Sequence, residues 1–150
     1  MNPMNDLHYY EVNLLWNSAT QGTLSSPVIS GKIGDAAPPK FPKGTKERWT
    51  PEHLFIAAIS SSLMSTFLLV ADTSKLKFIS FESNAIGKIE KVDGRVAVTE
   101  IILKPKLTIP STQTETKARR AVKISEKALA IANSVKTKII IEPFITVHKY

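Results

Sequence analysis

The longest apolar stretch of the chain runs from Leu54 to Ala71 and contains no charged residue. Three residues that favour the start of a helix come just before it. Thr50 is a good N-cap, Pro51 suits the first helical position, and Glu52 complements the positive end of the helix dipole. The pattern predicts a helix over 51–71, roughly 30 Å long.

A helix of this length and composition raises the question of a membrane span. Five hydroxyl residues interrupt the stretch, and no second apolar segment follows it. They are Ser60, Ser61, Ser62, Ser65 and Thr66. We therefore expect a buried helix and no membrane partner. Because a helix that is apolar all round must be covered all round, a second layer is needed beyond one sheet. That layer is either the second helix or another copy of the chain.

Residues before this helix have the composition of strands. His8–Trp16, Gly22–Ser25 and Val28–Ile33 are rich in branched and aromatic residues or are bounded by turn residues, which predicts a small antiparallel meander. Aromatic residues of strands usually face the core, so we expect Tyr9, Tyr10 and Trp16 to be buried. A basic loop over 34–48 leads into the helix.

Residues after the helix predict a long hairpin. Phe78–Lys91 and Arg95–Ile109 are two strands joined by Asp93-Gly94, a strong signal for a two-residue turn. Pro105 cannot donate a hydrogen bond, which predicts a bulge or an edge at that point. Two short strands end the chain, Lys138–Ile141 and Phe144–Val147.

A second helix is predicted over Thr114–Asn133. Small residues fall on one face at spacings of three and four, and Glu115 lies four residues before Arg119, a favourable ion-pair spacing. The face consists of Ala118, Ala121, Val122, Ser125, Ala128, Leu129 and Ala132. Strands, helix, hairpin, helix and strands in this order predict a single α+β domain over residues 1–150.

Composition excludes several kinds of chemistry. The 150 residues contain no cysteine, so disulfides, thiolate metal sites and cysteine nucleophiles are excluded. His8, His53 and His148 form no pair with metal-ligand spacing, and we predict neither a metal nor a cofactor. The net charge of +7 permits nucleic-acid binding, but no motif supports it. The first residues lack a signal-peptide pattern, so we expect a cytoplasmic protein.

Residues Thr50–Ser62 resemble the helix start of the osmotically inducible protein C and organic hydroperoxide resistance (OsmC/Ohr) family. Trp49 before them is similar to a variant in one branch, and Thr99–Pro105 with Ile109-Pro110 fits the ribbon of the family. The resemblance implies an intertwined homodimer in which antiparallel sheets wrap around central helices. It also implies reduction of organic hydroperoxides by two cysteines, with an arginine and a glutamate activating the first.

The chain departs from that chemistry at its centre. The two cysteine positions fall on Ser62 and Leu129, while Glu52 matches the glutamate. The arginine has no firm counterpart; Lys40 and Arg48 are the candidates. His53 lies nine residues before Ser62, on the opposite face of the helix and roughly 13 Å along its axis, so it cannot activate that hydroxyl in the same chain. We expect Ser62 to be a buried hydroxyl bonded to a backbone carbonyl.

Three functions are compatible with these observations. The first is a non-peroxidase member of the family that binds a small hydrophobic molecule at the dimer interface. The second is a hydrolase-like enzyme that uses Ser62 with a group from the partner chain. The third is a nucleic-acid-binding module that uses the basic loop and the second helix. The predicted ligand-binding residues of the first are Lys40, Arg48, Glu52, Leu54, Phe55, Ser62, Leu63 and Leu129.

Overall fold

The protein was analysed as a computed structural model that describes residues 8–36 and 48–149. The chain divides into two compact units, residues 1–53 and 54–150. Helix α1 starts in the first unit and continues through the second. The elements are β1 (Asn13–Ser18), β2 (Gln21–Ser26), β3 (Ile29–Ala36), α1 (Pro51–Thr73), β4 (Ser80–Val92), β5 (Arg95–Ile109), α2 (Glu115–Lys127), β6 (Lys138–Ile141) and β7 (Phe144–Val147).

The first unit contains the predicted meander, an antiparallel sheet of order β1-β2-β3. The prediction that its aromatic residues are buried is wrong. Tyr9, Tyr10 and Trp16 are 86%, 93% and 72% exposed. Tyr9 and Tyr10 lie before β1, which begins at Asn13 and not at His8 as predicted. Trp16 lies on β1, whose residues are all exposed. The Trp16 indole N–H still finds a partner, because it donates to the Ala19 carbonyl at 3.0 Å.

Helix α1 buries one stripe of its surface. Ile59, Leu63, Phe67 and Ala71 follow one another at a spacing of four and are almost fully enclosed. Phe55, Ile56 and Val70 are partly buried against the core, whereas Met64, Leu68 and Leu69 are exposed. Only 22% of the most apolar 18-residue window of α1 is buried. By length and composition alone, α1 is long and apolar enough to cross a membrane.

The predicted hairpin is present, and β5 has the predicted bounds. Asp93 and Gly94 both have positive φ, at 48° and 78°, which is the geometry that a type I′ turn requires. A register shift interrupts the ladder between Lys88 and Ile89. The last two strands pair with β5 in parallel, so the second sheet is mixed rather than antiparallel as expected.

The prediction of a bulge or an edge at Pro105 is wrong. Pro105 is buried in β5, the strand that pairs with β4 on one side and with β6 and β7 on the other. It lies between the segment that pairs with β6, which ends at Leu103, and the segment that pairs with β7, which begins at Lys106. The neighbouring strand changes at this point, so a residue without an N–H is tolerated there.

Helix α2 is shorter than predicted. It ends at Lys127, and the following residues form a short 3-10 turn over Ala132–Ser134 instead of continuing to Asn133. Four residues of the predicted small face are buried in it: Ala118, Ala121, Val122 and Ser125. The first three of them pack with Phe67, Ala71, Leu107 and Ile109 in a core cluster. The α+β class is confirmed.

Candidate functional site

The start of α1 is held by a reciprocal pair of hydrogen bonds in the first unit. The His53 backbone N–H donates to the Thr50 hydroxyl at 3.2 Å, and the Thr50 backbone N–H donates to His53 Nδ1 at 3.1 Å. In the capping box, glutamate or glutamine usually makes the second bond; here an imidazole makes it. The N-cap role predicted for Thr50 is confirmed, and His53 fixes the helix start.

Among the described residues of the first unit, two carboxylate oxygens are buried without a hydrogen-bond partner. They are Oε2 of Glu52, in the first turn of α1, and Oδ1 of Asp35, near the end of β3. The Arg48 guanidinium lies over Gly34, whose added Cβ would be 2.6 Å from Nη1. In the part of the chain that the structure describes, Arg48 forms no ion pair with Glu52. Lys40, the other candidate cation, lies outside the described residues.

Ser62 is not the buried, hydrogen-bonded hydroxyl that the sequence suggested. Its side chain is only partly buried, and within residues 8–36 and 48–149 it makes no hydrogen bond to a carbonyl or to a base. Ser125 of α2 is the residue that adopts the expected arrangement, with its hydroxyl donating to the Ala121 carbonyl at 2.7 Å in a fully buried position. The phase of α1 leaves Ser62 beside the buried stripe, not within it.

The position that matches the second family cysteine is part of the hydrophobic core. Leu129 is 2% exposed and packs with Ile59, Leu63, Ile101 and Leu103. Phe55 packs against this cluster and is partly buried. The structure therefore brings together Phe55, Leu63 and Leu129 from the predicted ligand set. Leu54 is partly buried but is not part of this cluster.

An apolar groove of about 550 Å³ opens beside Phe55 in the second unit. We call it the Phe55 groove. Three separate segments line it besides Phe55: Val92 at the end of β4, Ala97–Thr99 of β5, and Val135–Thr137 before β6. Of these residues, only Phe55 was predicted from the sequence to bind a ligand. Their apolar character is ordinary for strands, so no local signal distinguishes them.

The two threonine hydroxyls at the Phe55 groove are already engaged, whereas Lys136 also lines the groove and carries a charge. The Thr99 hydroxyl donates to Glu90 Oε1 at 2.7 Å, and the Thr137 hydroxyl donates to the Val98 carbonyl at 2.8 Å. The bond from Thr99, and then that from Lys88, lowers the pKa of Glu90 from its ordinary value. With both threonine protons committed, the groove offers a ligand mainly apolar contacts.

Among the described residues, no group of three histidine, aspartate or glutamate side chains could hold a metal ion. The predicted ligand residues also fall in different units. Arg48 and Glu52 belong to the first, whereas Leu54, Phe55, Ser62, Leu63 and Leu129 belong to the second. The chemistry that the second unit offers by itself is apolar binding in the Phe55 groove, whose lining does not include Ser62.

Comparison with known proteins agrees with the resemblance seen in the sequence. The chain is similar in structure to an OsmC-like protein from Vibrio cholerae, at 24% identity and a TM-score of 0.81, over 92% of this chain and 100% of that one. It is also similar to an organic hydroperoxide resistance protein from Elizabethkingia anophelis, at 18% identity and a TM-score of 0.71, over 97% and 100% of the two chains.

A third similar structure is an OsmC-like protein from Mycoplasma pneumoniae, at 19% identity and a TM-score of 0.77, over 93% of this chain and 98% of that one. At these identities the similarity shows the fold. No curated protein matches the sequence significantly. A family model described as "OsmC-like protein" matches residues 44–143, which is more than half of the chain. The chain therefore belongs to the OsmC family, although it contains no cysteine.

Proposed function

We propose that this chain is a non-peroxidase member of the OsmC family that binds a small hydrophobic molecule as a homodimer. The observation that carries the proposal is the replacement of both cysteine positions, by a hydroxyl at Ser62 and by a core side chain at Leu129. A hydroxyl cannot take the oxygen of a peroxide and then form a disulfide, which is the chemistry that a thiol supplies.

The Phe55 groove supports ligand binding. Its volume of about 550 Å³ lies within the roughly 300–1,000 Å³ that is usual for small-molecule sites. Its walls come mostly from apolar side chains, and its two threonine hydroxyls already donate to protein oxygens. A mainly apolar ligand therefore suits the groove best, with Lys136 the charged residue of its lining.

The uncovered surface of α1 supports the homodimer. Leu68 and Leu69 are 42% and 60% exposed in the single chain. Two small residues, Ala58 and Ser65, lie on exposed positions of the same face, so another helix backbone can approach closely. We propose that a second copy of the chain covers this surface of α1. The second copy then shields the apolar side chains of α1, and no membrane is needed to do so.

We propose no role for the basic residues of α2 in nucleic-acid recognition. Arg119 is already paired with Glu115 at 2.8 Å, as the sequence predicted. Arg120, Lys123 and Lys127 surround Ile124 without aromatic residues that stack on bases. Affinity for DNA at physiological salt is then expected to stay in the non-specific range of roughly 10⁻⁴ to 10⁻⁶ M.

Titration with Nile red, a neutral hydrophobic dye, tests ligand binding to the Phe55 groove. Ala97 is an exposed residue that lines the groove, so Ala97→Glu places a charge there without altering the core. We expect this variant to weaken dye binding by about tenfold or more, because an apolar ligand would desolvate the carboxylate. Val96→Glu is the matched control, since Val96 neighbours Ala97 on β5 and does not line the groove. Equal dye affinity for both variants would contradict the proposal.

A further inference from the structure

A second cavity of the second unit carries hydroxyl groups on both of its sides. It has a volume of about 320 Å³ and is lined by Ala57, Ser60, Ser61 and Met64 of α1 and by Phe81–Ser83 of β4. We call it the serine pocket. Neither Ser62 nor any residue of the Phe55 groove lines it. It is therefore distinct from the site that matches the family cysteines.

Among the described residues, the hydroxyl of Ser83 has no hydrogen-bond partner although its oxygen is buried. Side chains of β4 alternate between exposed and partly buried from Ser80 to Lys88, and Ser83 lies on the partly buried side with Phe81. The Phe81 ring stacks on Phe67 of α1 at a centroid distance of 4.9 Å, which holds this side of β4 against the helix. An unpartnered buried hydroxyl destabilises a protein, so such a group at a cavity indicates a missing partner.

We propose that the serine pocket is a binding site for a small neutral molecule whose polar head hydrogen-bonds to Ser83 Oγ. Ser60 and Ser61 supply further hydroxyls within the same cavity, while Ala57, Met64 and Phe81 supply apolar contacts for the rest of the ligand. A hydroxyl both donates and accepts, so an amide or an alcohol head satisfies it. The inference goes beyond ligand binding in the Phe55 groove and does not depend on it.

The charges around the serine pocket select a neutral head. No lysine or arginine lines the cavity, so nothing there compensates the desolvation of an anion. The one charged lining residue is Glu82, whose carboxylate already lies 3.6 Å from Lys106 Nζ in an exposed ion pair. The negative charge of Glu82 disfavours an anion further, and its existing ion pair leaves little attraction for a second cation.

The Ser83→Ala substitution tests whether the Ser83 hydroxyl lacks a partner. The direction in which the melting temperature changes gives the answer. Ser83→Ala eliminates a buried group without a partner, so we expect the melting temperature to rise by about 1–3 °C in the ligand-free protein. Ser80→Ala, at an exposed position of the same strand, is the matched control and is expected to leave it unchanged. A Ser83→Ala protein that melts at or below the temperature of the control has lost a real hydrogen bond, for example to a second copy. That result would overturn the proposal.

Titration with butyramide tests the ligand class directly. Its neutral amide and short alkyl chain match the pocket, so saturable NMR shifts are expected at the backbone amides of Ser60, Ser61 and Ser83. Ser83→Ala should weaken the dissociation constant at least about fivefold, whereas Ser80→Ala should preserve it. Butyrate, of the same size but anionic, should bind more weakly than butyramide. Absence of saturable shifts, equal affinity in Ser83→Ala, or butyrate binding as tightly as butyramide would each overturn the proposal.

Discussion

His53 Nδ1 accepts the backbone N–H of Thr50 at 3.1 Å, while the His53 backbone N–H donates to the Thr50 hydroxyl at 3.2 Å. The same ring lies edge-on to Trp49, with the ring centroids 6.1 Å apart. One histidine thus fixes the first turn of α1, the turn that also contains Glu52.

The cap predicts how substitutions of His53 change stability. His53→Leu removes the acceptor for the Thr50 N–H and should lower the free energy of unfolding by about 1 kcal/mol, as loss of a cap does. His53→Gln keeps an acceptor at the same helical position and should cost less. Urea denaturation of both variants measures the difference. Equal losses in the two would show that the side-chain acceptor contributes nothing.

A close contact between β4 and α1 predicts a strong effect at Gly87. A Cβ at this position would lie 2.9 Å from Ile56 Cγ1 and closer still to Cδ1. Gly87→Ala should therefore lower the free energy of unfolding by about 1–3 kcal/mol, the usual range for overpacking. Gly31→Ala is the control, because no atom lies within 4 Å of the added Cβ there.

Combining Gly87→Ala with Ile56→Ala gives a second check on this contact. Shortening Ile56 removes the atoms that collide, so the double variant should lose less stability than the sum of the two single variants. Denaturation of the four proteins measures the coupling. If the losses in the free energy of unfolding are strictly additive, the added Cβ and Ile56 do not collide, and β4 and α1 separate readily at this point.

The uncovered surface of α1 predicts the mass of the protein in solution. Light scattering at micromolar concentration should give twice the 16.5 kDa of one chain. Leu69→Lys places a charge at a residue that is 60% exposed in the single chain and, on our proposal, buried between two copies. It should produce monomers or aggregates, whereas Ile79→Lys, outside α1, should leave the dimer intact. A stable, folded wild-type monomer would contradict the homodimer.

Peroxide chemistry provides the next prediction. Wild-type protein with a dithiol should consume cumene hydroperoxide no faster than buffer with the dithiol, because Ser62 supplies no thiolate. Ser62→Cys should be oxidised once and slowly, with a sulfenic or sulfinic product that mass spectrometry detects. Adding Leu129→Cys supplies a resolving thiol at a position that is 2% exposed, and turnover then reports whether the core admits a disulfide. Consumption by the wild type above the buffer rate would contradict the proposed function.

The hydrogen bond between Thr99 and Glu90 predicts a pH effect. The Thr99 hydroxyl, and then Lys88, lowers the pKa of Glu90 in the folded protein. A lowered folded pKa contributes stability above the unfolded pKa, and this contribution is lost as the pH falls through the folded pKa. Thr99→Val should raise the pKa of Glu90 towards its ordinary value in an NMR titration. Thr137→Val, at the other groove hydroxyl, serves as the control and should leave that titration unchanged.

Local sequence determined the elements whose ends depend on neighbouring residues. Thr50 and Pro51 predicted the start of α1, because capping and a proline at the first helical position act within one turn. Asp93-Gly94 predicted the hairpin, because only a few residues adopt positive φ at low cost. The absence of cysteine and the identity of Ser62 and Leu129 were also evident from the sequence.

Tertiary structure decided which surfaces those elements cover. The parallel pairing of β6 and β7 with β5 joins residues far apart in the chain, and so do the walls of the Phe55 groove. The burial of the Ser83 hydroxyl also depends on residues far from it in the chain. Helical periodicity places Ser62 on one face of α1, but the burial of Ser62 depends on what packs against that face. The structure leaves Ser62 only partly buried, and among the described residues its expected hydrogen bond to a backbone carbonyl is not formed. Periodicity acts over a few residues, whereas burial depends on every layer that the folded chain brings against a side chain.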